Sequence, residues 1–352
     1  MIDWTKSMTQ TFEYYTVDPK TWCDDKPIRN VKACQINRDE SAETLGSASI
    51  TLTDLVGESY IRAYLIAIQN GVKYKIALGT FLIQTPSSKF DGKVRDISVD
   101  AYTPLLELKE SPPPIGYSLF KGANILKTAY DLCVDHARAP VSKGFCETNL
   151  QTDFVSNIND TWLTFLIDLI ANAKYKFDLD EMGRILFAPK QDTASLQPIW
   201  TYDDSNSSIL YPEVTLDHDM YGIPNVVEVV YSTGVDSYSA RIVNDDPNSP
   251  ISTVNRGREI VHRATDPEIA GNPTQNQVTE YAKQLLRDLS TLEYTISYAH
   301  GYCPVRVGDC VLFNYSRAGI NNVKGRVISQ TIECKSGCKV TEKAVFTNNL
   351  WR

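Results

Sequence analysis

The sequence predicts a mixed α+β chain that is mainly β, and three observations predict it. Short segments of alternating apolar residues fill the first hundred positions and return later: Ala48, Ile50 and Leu52; Tyr64, Ile66 and Ile68; Tyr74, Ile76 and Leu78; and Leu292, Tyr294, Ile296 and Tyr298. Each set puts its apolar side chains on one face of a strand. Asn70-Gly71 sits between two of these sets, and a two-residue hairpin turn needs residues that tolerate positive φ. Helical spacing is confined to a few stretches, around Ile125–Ala137, Trp162–Ala173 and Val278–Leu289.

In chain order, Phe81-Leu82-Ile83 and then Ile97, Val99 and Ala101 complete a first β region, a compact barrel or sandwich. Ser111-Pro112-Pro113-Pro114 ends it, because consecutive prolines cannot donate to a ladder and prefer an extended linker. Ile125, Leu126, Ala129, Tyr130, Cys133 and Ala137 predict a helix that Pro140 closes, and residues 141–159 are polar with no period. Asp160 or Thr161 caps a second helix with the stripe Trp162, Phe165, Leu166, Leu169, Ile170 and Ala173. That helix runs into the hairpin Tyr175–Leu179, turn Asp180–Gly183, Arg184–Phe187. Gln191–Pro212 reads as a polar crossing, and a second β region starts near Val214. Within it, Val226–Tyr231 is apolar on both faces and predicts a central strand, whereas Asp245–Pro250 is a loop. Thr274 with Gln277 has capping-box spacing ahead of the stripe Val278, Ala282, Leu285, Leu286 and Leu289. Val311, Phe313 and Tyr315, then Val327-Ile328 and Thr331-Ile332, lead to a hairpin at Lys335-Ser336-Gly337. The expected division is 1–110, 111–200 (an inserted helical and small α+β module) and 201–352 (β with one long helix).

The chain has 352 residues, with 42% hydrophobic and 22% charged, which gives room for two to four cored domains and argues against disorder. Nineteen tyrosines suit strands and half-buried interfaces. A net charge of -8 argues against holding nucleic acid by neutralising phosphates, but not against a conduit through which it slides. No apolar run approaches the roughly 18 residues of a membrane span. Met1–Lys6 lacks a basic segment followed by an apolar one, so cytoplasmic synthesis is expected.

Catalytic constellations are scarce. The four histidines, His136, His218, His262 and His300, stand in no zinc-protease spacing, and no nucleophile elbow, phosphate loop or dinucleotide fingerprint occurs. Asp217-His218-Asp219 reads as a solvated turn before it reads as metal ligands, and Asp178–Gly183 as hairpin chemistry before a calcium loop. Cys303–Asp309 reads as a Pro-led strand and a Gly-Asp turn rather than a thiol site, and Arg256, Arg258 and Arg263 as a solvated face. Acidic pairs suited to glycoside hydrolysis carry no signal among 43 acidic residues. The eight cysteines (23, 34, 133, 146, 303, 310, 334, 338) fall into nearby pairs. Two readings stay open: buried reduced thiols, or disulfides in an oxidised product, with Cys334 and Cys338 facing each other across the Lys335–Gly337 turn. A zinc site from Cys303, Cys310, Cys334 and Cys338 lacks the C-x2-C knuckles such sites use. No catalytic, cofactor-binding or metal-binding residue is therefore expected.

The order and spacing of four stretches resemble the baseplate or tail hub proteins of long-tailed bacteriophages, including the N-terminal hub part of siphophage tail-associated proteins. They are Leu78–Ile83 with Ile97–Leu106; the second helix with Tyr175–Phe187; Asn225–Tyr231; and the long helix followed by Pro304–Val311. The resemblance implies two tube-type β-barrel domains, 1–110 and 201–352, bracketing the inserted module. It implies a homotrimer whose six barrels ring a channel and adapt a sixfold tail tube to a threefold spike or fibre. Implied partners are the tail tube or distal tail protein, the tail spike or fibre protein and the tape-measure protein, with DNA only in transit and no stable membrane association. The implied location is the virion tail tip or baseplate, assembled in the host cytoplasm. A mildly acidic lumen would keep phosphates moving. The chain stops at Trp351-Arg352, soon after the last β segment, so no fused peptidoglycan hydrolase is expected. The rival readings are a tail-tip carbohydrate or receptor-binding module and a tail-borne cell-wall hydrolase.

Overall fold

The computed structural model describes residues 2–54, 57–90, 92–93, 95–191, 193–218, 221–232, 237–265 and 274–351. The chain forms two compact units, Met1–Val214 with Tyr298–Ala344, and Thr215–Ser297 with Val345–Arg352.

The larger unit opens with β1 (Thr9–Val17), β2 (Asp24–Ile28), β3 (Val31–Asp39), β4 (Gly46–Leu52), β5 (Tyr60–Gln69), β6 (Val72–Phe90) and β7 (Arg95–Tyr102), paired in the order β3-β4-β7-β6-β5-β1-β2. β5 is buried along nearly its whole length, which its apolar run Ala63–Ala67 dictates for a strand covered on both faces. The β5–β6 turn is the predicted Asn70-Gly71, with φ of 52° and 76°, and Gln69 pairs with Val72 as a two-residue hairpin requires. Ile36, Ile50, Leu52, Leu65 and Val99 form the centre of this region's core.

The inserted module follows as α1 (Leu106–Glu110), β8 (Ser118–Leu119), α2 (Ile125–His136), β9 (Phe154–Val155), α3 (Trp162–Ala171), β10 (Tyr175–Leu179) and β11 (Ile185–Pro189). Asn124 caps α2 by accepting from Lys127 N, and Thr161 caps α3 in a reciprocal box with Thr164. The predicted stripes meet each other: Leu126, Ala129 and Cys133 of α2 and Phe165, Leu166 and Ile170 of α3 are fully buried in one cluster. Each such leucine contributes about 1.5–3 kcal/mol through removal from water. β8 pairs with β9 in a short ribbon, and β9 lies inside residues 141–159, the stretch that carried no period.

β12 (Trp200–Asp203) and β13 (Leu210–His218) come next. The smaller unit holds β14 (Val226–Ser232), β15 (Ser237–Val243), α4 (Thr253–Arg256), β16 (Val261–Thr265) and α5 (Gln275–Leu289). β14 is the central strand of β15-β14-β16, as its two apolar faces predict. The Thr274 capping box forms, and Val278, Ala282 and Leu286 of α5 pack on Val227 and Val229. The chain closes with β17 (Thr291–Gly301), β18 (Cys310–Tyr315), β19 (Ile320–Glu333) and β20 (Lys339–Asn349).

The first and last β regions are joined in one sheet. β19 runs antiparallel to β3, with Ile332 opposite Ile36, and the last region adds Ile332 and Val340 to the first region's core. Among the described residues the strand path β13-β17-β20-β19-β3-β4-β7-β6-β5-β1-β2 has two ends and does not close on itself. The chain is mainly β, as expected. Two local expectations change. Gln191–Pro212 holds β12, whose parallel pairing with β18 supplies the partner that its own composition does not signal. Cys303–Arg306 forms no strand; only the turn at Gly308 (φ 96°) and β18 after it do.

Candidate functional site

Three features of the larger unit are candidates: a buried polar cluster, a clamp around the β10–β11 turn, and an exposed apolar lip.

The buried cluster joins residues far apart in sequence. Tyr202, Tyr298, His300, Cys303, Gln330 and Glu342 lie from 0% to 2% exposed for each residue. Glu342 accepts from the Tyr298 hydroxyl at 2.5 Å, from Gln330 Nε2 at 2.5 Å and from the Tyr202 hydroxyl at 3.4 Å. His300 Nε2 lies 3.2 Å from Glu342 Oε2, and Nδ1 lies 2.6 Å from the Gly301 carbonyl. Both ring nitrogens thus face acceptors, which suits the imidazolium. Burial works against that charge, but the Glu342 carboxylate outweighs it and His300 is pushed up to about 10. Burial likewise opposes the Glu342 charge, and His300 holds the carboxyl below its ordinary value all the same. Burial first, then Glu342, raises Tyr202 and Tyr298, so both stay hydroxyl donors.

Cys303 Sγ sits 3.8 Å from His300 Nδ1, so thiol, imidazole and carboxylate are arrayed in the order a thiol nucleophile would need. The arrangement cannot serve as one. Nδ1 gives its proton to the Gly301 carbonyl, and no substrate reaches a fully enclosed sulfur. This cluster is a satisfied core network.

The clamp holds the turn between β10 and β11. Trp22 Nε1 donates to the Met182 carbonyl at 2.7 Å and Arg62 Nη2 to the same oxygen at 3.0 Å. Thr80 Oγ1 donates to the Glu181 carbonyl at 3.4 Å, and Arg306 to that of Leu179. Arg62 is itself fixed by Asp24 at 2.9 Å and by Thr80 Oγ1 at 2.9 Å, although its side chain is almost wholly buried. Gly183 has φ of 78°, and a Cβ there would lie 2.7 Å from Thr80 Cβ and 3.2 Å from Trp22 Cζ2. Beside the clamp is a cleft of about 890 Å³ lined by Arg38, Glu40, Lys176, Glu181, Arg306 and Arg326 among others. Its charges are paired: Arg306 and Arg38 meet Glu181 at 2.7 and 3.6 Å, and Lys176 and Arg326 meet Glu40. These ion pairs tie the β10–β11 hairpin to other elements of the larger unit.

The lip lies around the β8–β9 ribbon. Ile115 is 93% exposed, Phe120 75%, Val155 56% and Ile158 83%. The ribbon and the bond from Ser156 N to Tyr117 O keep these stretches together. Large apolar side chains at this exposure make these stretches a candidate contact surface.

The residues singled out from sequence are placed as follows. Cys338 is buried and Cys334 half-buried, with their turn at Lys335–Gly337 formed; Cys334 lies opposite Cys34 across β3 and β19. Arg263 is an exposed strand residue paired with Glu228 at 2.8 Å, and Arg256 donates to the Ile223 carbonyl at 2.7 Å. Asp178–Gly183 is hairpin-turn backbone, as read. Asp217 and His218 end β13, and Asp219 lies outside the described residues. Among the described residues no three His, Cys, Asp or Glu side chains gather in metal-holding geometry. No helix there is long and apolar enough to cross a membrane. Sequence reasoning missed the Glu342 cluster and the clamp, because their members are 98 and 140 residues apart for Tyr202 with His300 and Glu342, and 120 apart for Arg62 with Met182.

No protein-family model matches the sequence, and no curated protein matches it. Solved structures do. A tail protein from Neisseria meningitidis MC58 aligns with a TM-score of 0.62 and 15% identity over 97% of this chain and 98% of that one. The 43 kDa tail protein of prophage MuSo2 from Shewanella oneidensis aligns at 0.61 and 11% identity, over 95% and 98%. The E. coli c3393 protein, a type VI secretion component described as similar to the T4 bacteriophage tail proteins gp27 and gp5, aligns at 0.50 and 8% identity, over 92% and 75%. The fold of this chain is that of phage tail proteins, the group that the order of its sequence elements resembles.

Proposed function

We propose that the chain is a structural hub of a bacteriophage tail tip or baseplate. In this reading residues 1–110 and 201–352 each supply a tube-type barrel, and 111–200 is an outer module. Three copies place six barrels in a ring, so that a threefold spike or fibre mates with a sixfold tube. The ring forms part of the channel for the tape-measure protein and for DNA in transit. The hub works in the virion after assembly in the host cytoplasm, and it turns over no substrate. The observation that carries this reading is the likeness to tail proteins over nearly the whole of both chains. The β3–β19 junction supports it, since it sets the two β regions side by side in one sheet. The enclosure of the Cys303–His300–Glu342 group supports a role without catalysis.

Native mass spectrometry and negative-stain imaging test it. A trimeric ring with a central opening is expected, alone or with the adjoining tail proteins; a monomer under both conditions overturns the reading. The lip gives a second measurement. Phe120→Asp with Ile158→Asp changes exposed positions, so stability should move by only about 0.5 kcal/mol per site. Incorporation into assembled particles, quantified by mass spectrometry, is expected to fall at least about tenfold, as loss of an apolar anchor of roughly 1.4 kcal/mol or more dictates.

A further inference from the structure

We propose that Cys34 and Cys334 are a cross-strand pair that a peroxide closes into a disulfide, tying the first β region of the chain to the last. The inference is independent of the hub reading. The β3–β19 register runs from Ser329 opposite Asp39 to Glu333 opposite Gln35. One further step sets Cys334 opposite Cys34, and the Cys334 N–H donates to the Cys34 carbonyl at 3.0 Å. Directly opposed residues at a hydrogen-bonded position have Cα atoms about 5.5 Å apart, within the span of a disulfide. Opposed residues also project to the same face of the sheet. Cys34 and Tyr14 are buried in the first region's core, and Cys334 packs against that same cluster.

The two sulfurs differ in access. Cys34 is 6% exposed, whereas Cys334 is half-buried at the end of its strand. A peroxide meeting Cys334 transfers one oxygen to Sγ, giving a sulfenic acid and releasing one water from hydrogen peroxide. The Cys34 sulfur then attacks Cys334 Sγ, forming the S–S bond, and the hydroxyl leaves with the Cys34 proton as a second water. Two thiols are oxidised and one peroxide is reduced. The Cys34 thiol beside it, then burial, push Cys334 well above the usual thiol range. The pair therefore stays reduced in a thiol-buffered cytoplasm and closes slowly once the protein is outside it.

The test is non-reducing peptide mapping of the whole protein after hydrogen peroxide, with the remaining free thiols alkylated before digestion. A peptide containing Cys34 linked to one containing Cys334, lighter by about 2 Da than the two thiol peptides, is expected. Cys338→Ser should retain this link, and Cys334→Ser and Cys34→Ala should each abolish it. Oxidation should raise the melting temperature of the wild type and of Cys338→Ser but not of Cys334→Ser. A Cys334–Cys338 link, a sulfinic acid at Cys334 beside a free Cys34, or all eight cysteines alkylated after the treatment overturns the proposal.

Discussion

Glu342→Ala lowers the stability of the larger unit by about 3–5 kcal/mol, the usual cost of leaving a buried charge without its partner. In a melting experiment this is a fall of roughly 5–15 °C. The cause is specific. His300 faces Glu342 at 3.2 Å and the Gly301 carbonyl at 2.6 Å, and its side chain is fully buried. Removing the carboxylate also strips Tyr298 and Gln330 of their acceptor, each bonded at 2.5 Å. A buried donor without an acceptor adds its own cost. Tyr202 stacks on Phe313 with ring centroids 5.6 Å apart, so the cluster reports to the core of β18 as well. A double-mutant cycle with His300→Gln separates the ion pair from the rest, because paired residues couple by about 0.5–3 kcal/mol where independent ones add. A melting temperature within a degree or two of wild type would show that the pair contributes little.

The same pair gives the pH dependence a definite sign. His300 is held at about 10, above its ordinary 6.5. Its contribution is fully present below pH 6.5 and is lost as pH rises toward 10. Glu342 is held below its ordinary 4.5, so its contribution is present above pH 4.5 and is lost as pH falls below that. The wild type should lose stability from pH 6.5 to 10 more steeply than His300→Gln with Glu342→Gln, since the double variant lacks this term while sharing every other titrating group. Parallel curves over that range would contradict the pairing.

How much of this could be read from sequence depends on distance along the chain. The α2, α3 and α5 stripes, the Thr161 and Thr274 caps and the Asn70-Gly71 turn are local, and residues within one or two turns of each other determine them. β14 was legible as a central strand from its apolar character on two faces, and it pairs on both edges, while Val230 on its second face stays 44% exposed. By contrast, β12 has four residues of mixed polarity, and only its pairing with β18 makes it a strand. His300 and Glu342 carry no spacing signal, since their meeting is decided by which strands lie side by side. Cys334 illustrates the same limit. Sequence proximity points to Cys338 across a turn, while the β3–β19 register sets Cys34 opposite it. The lip was hidden for a further reason: Ile115 and Phe120 are at least 35 residues from Val155 and Ile158 along the chain, and only exposure distinguishes such apolar residues from a core.

Gly183→Val releases the β10–β11 turn from the sheet, at a cost of about 3 kcal/mol or more, since it combines a left-handed backbone with overpacking. Gly183 has φ of 78°, a region that a β-branched residue avoids. Its new Cβ would stand 2.7 Å from Thr80 Cβ, on a strand that cannot retreat without breaking β6 from its neighbours. The neighbouring Trp22 already holds φ of 57°, so the clamp has little slack to absorb the change. Hydrogen exchange reads the result directly: residues 175–189 should lose protection while β14 and β15 of the smaller unit keep theirs. Arg62→Leu should act in the same direction, because it removes the donor to the Met182 carbonyl and leaves Asp24 without its buried partner. Met182→Ala should do far less, as the clamp grips that residue through its backbone oxygen. If Gly183→Val and Met182→Ala exchange alike, the clamp does not hold the module. If only the first opens, the module's seat on the sheet depends on a few carbonyls in a turn that glycine alone can form there.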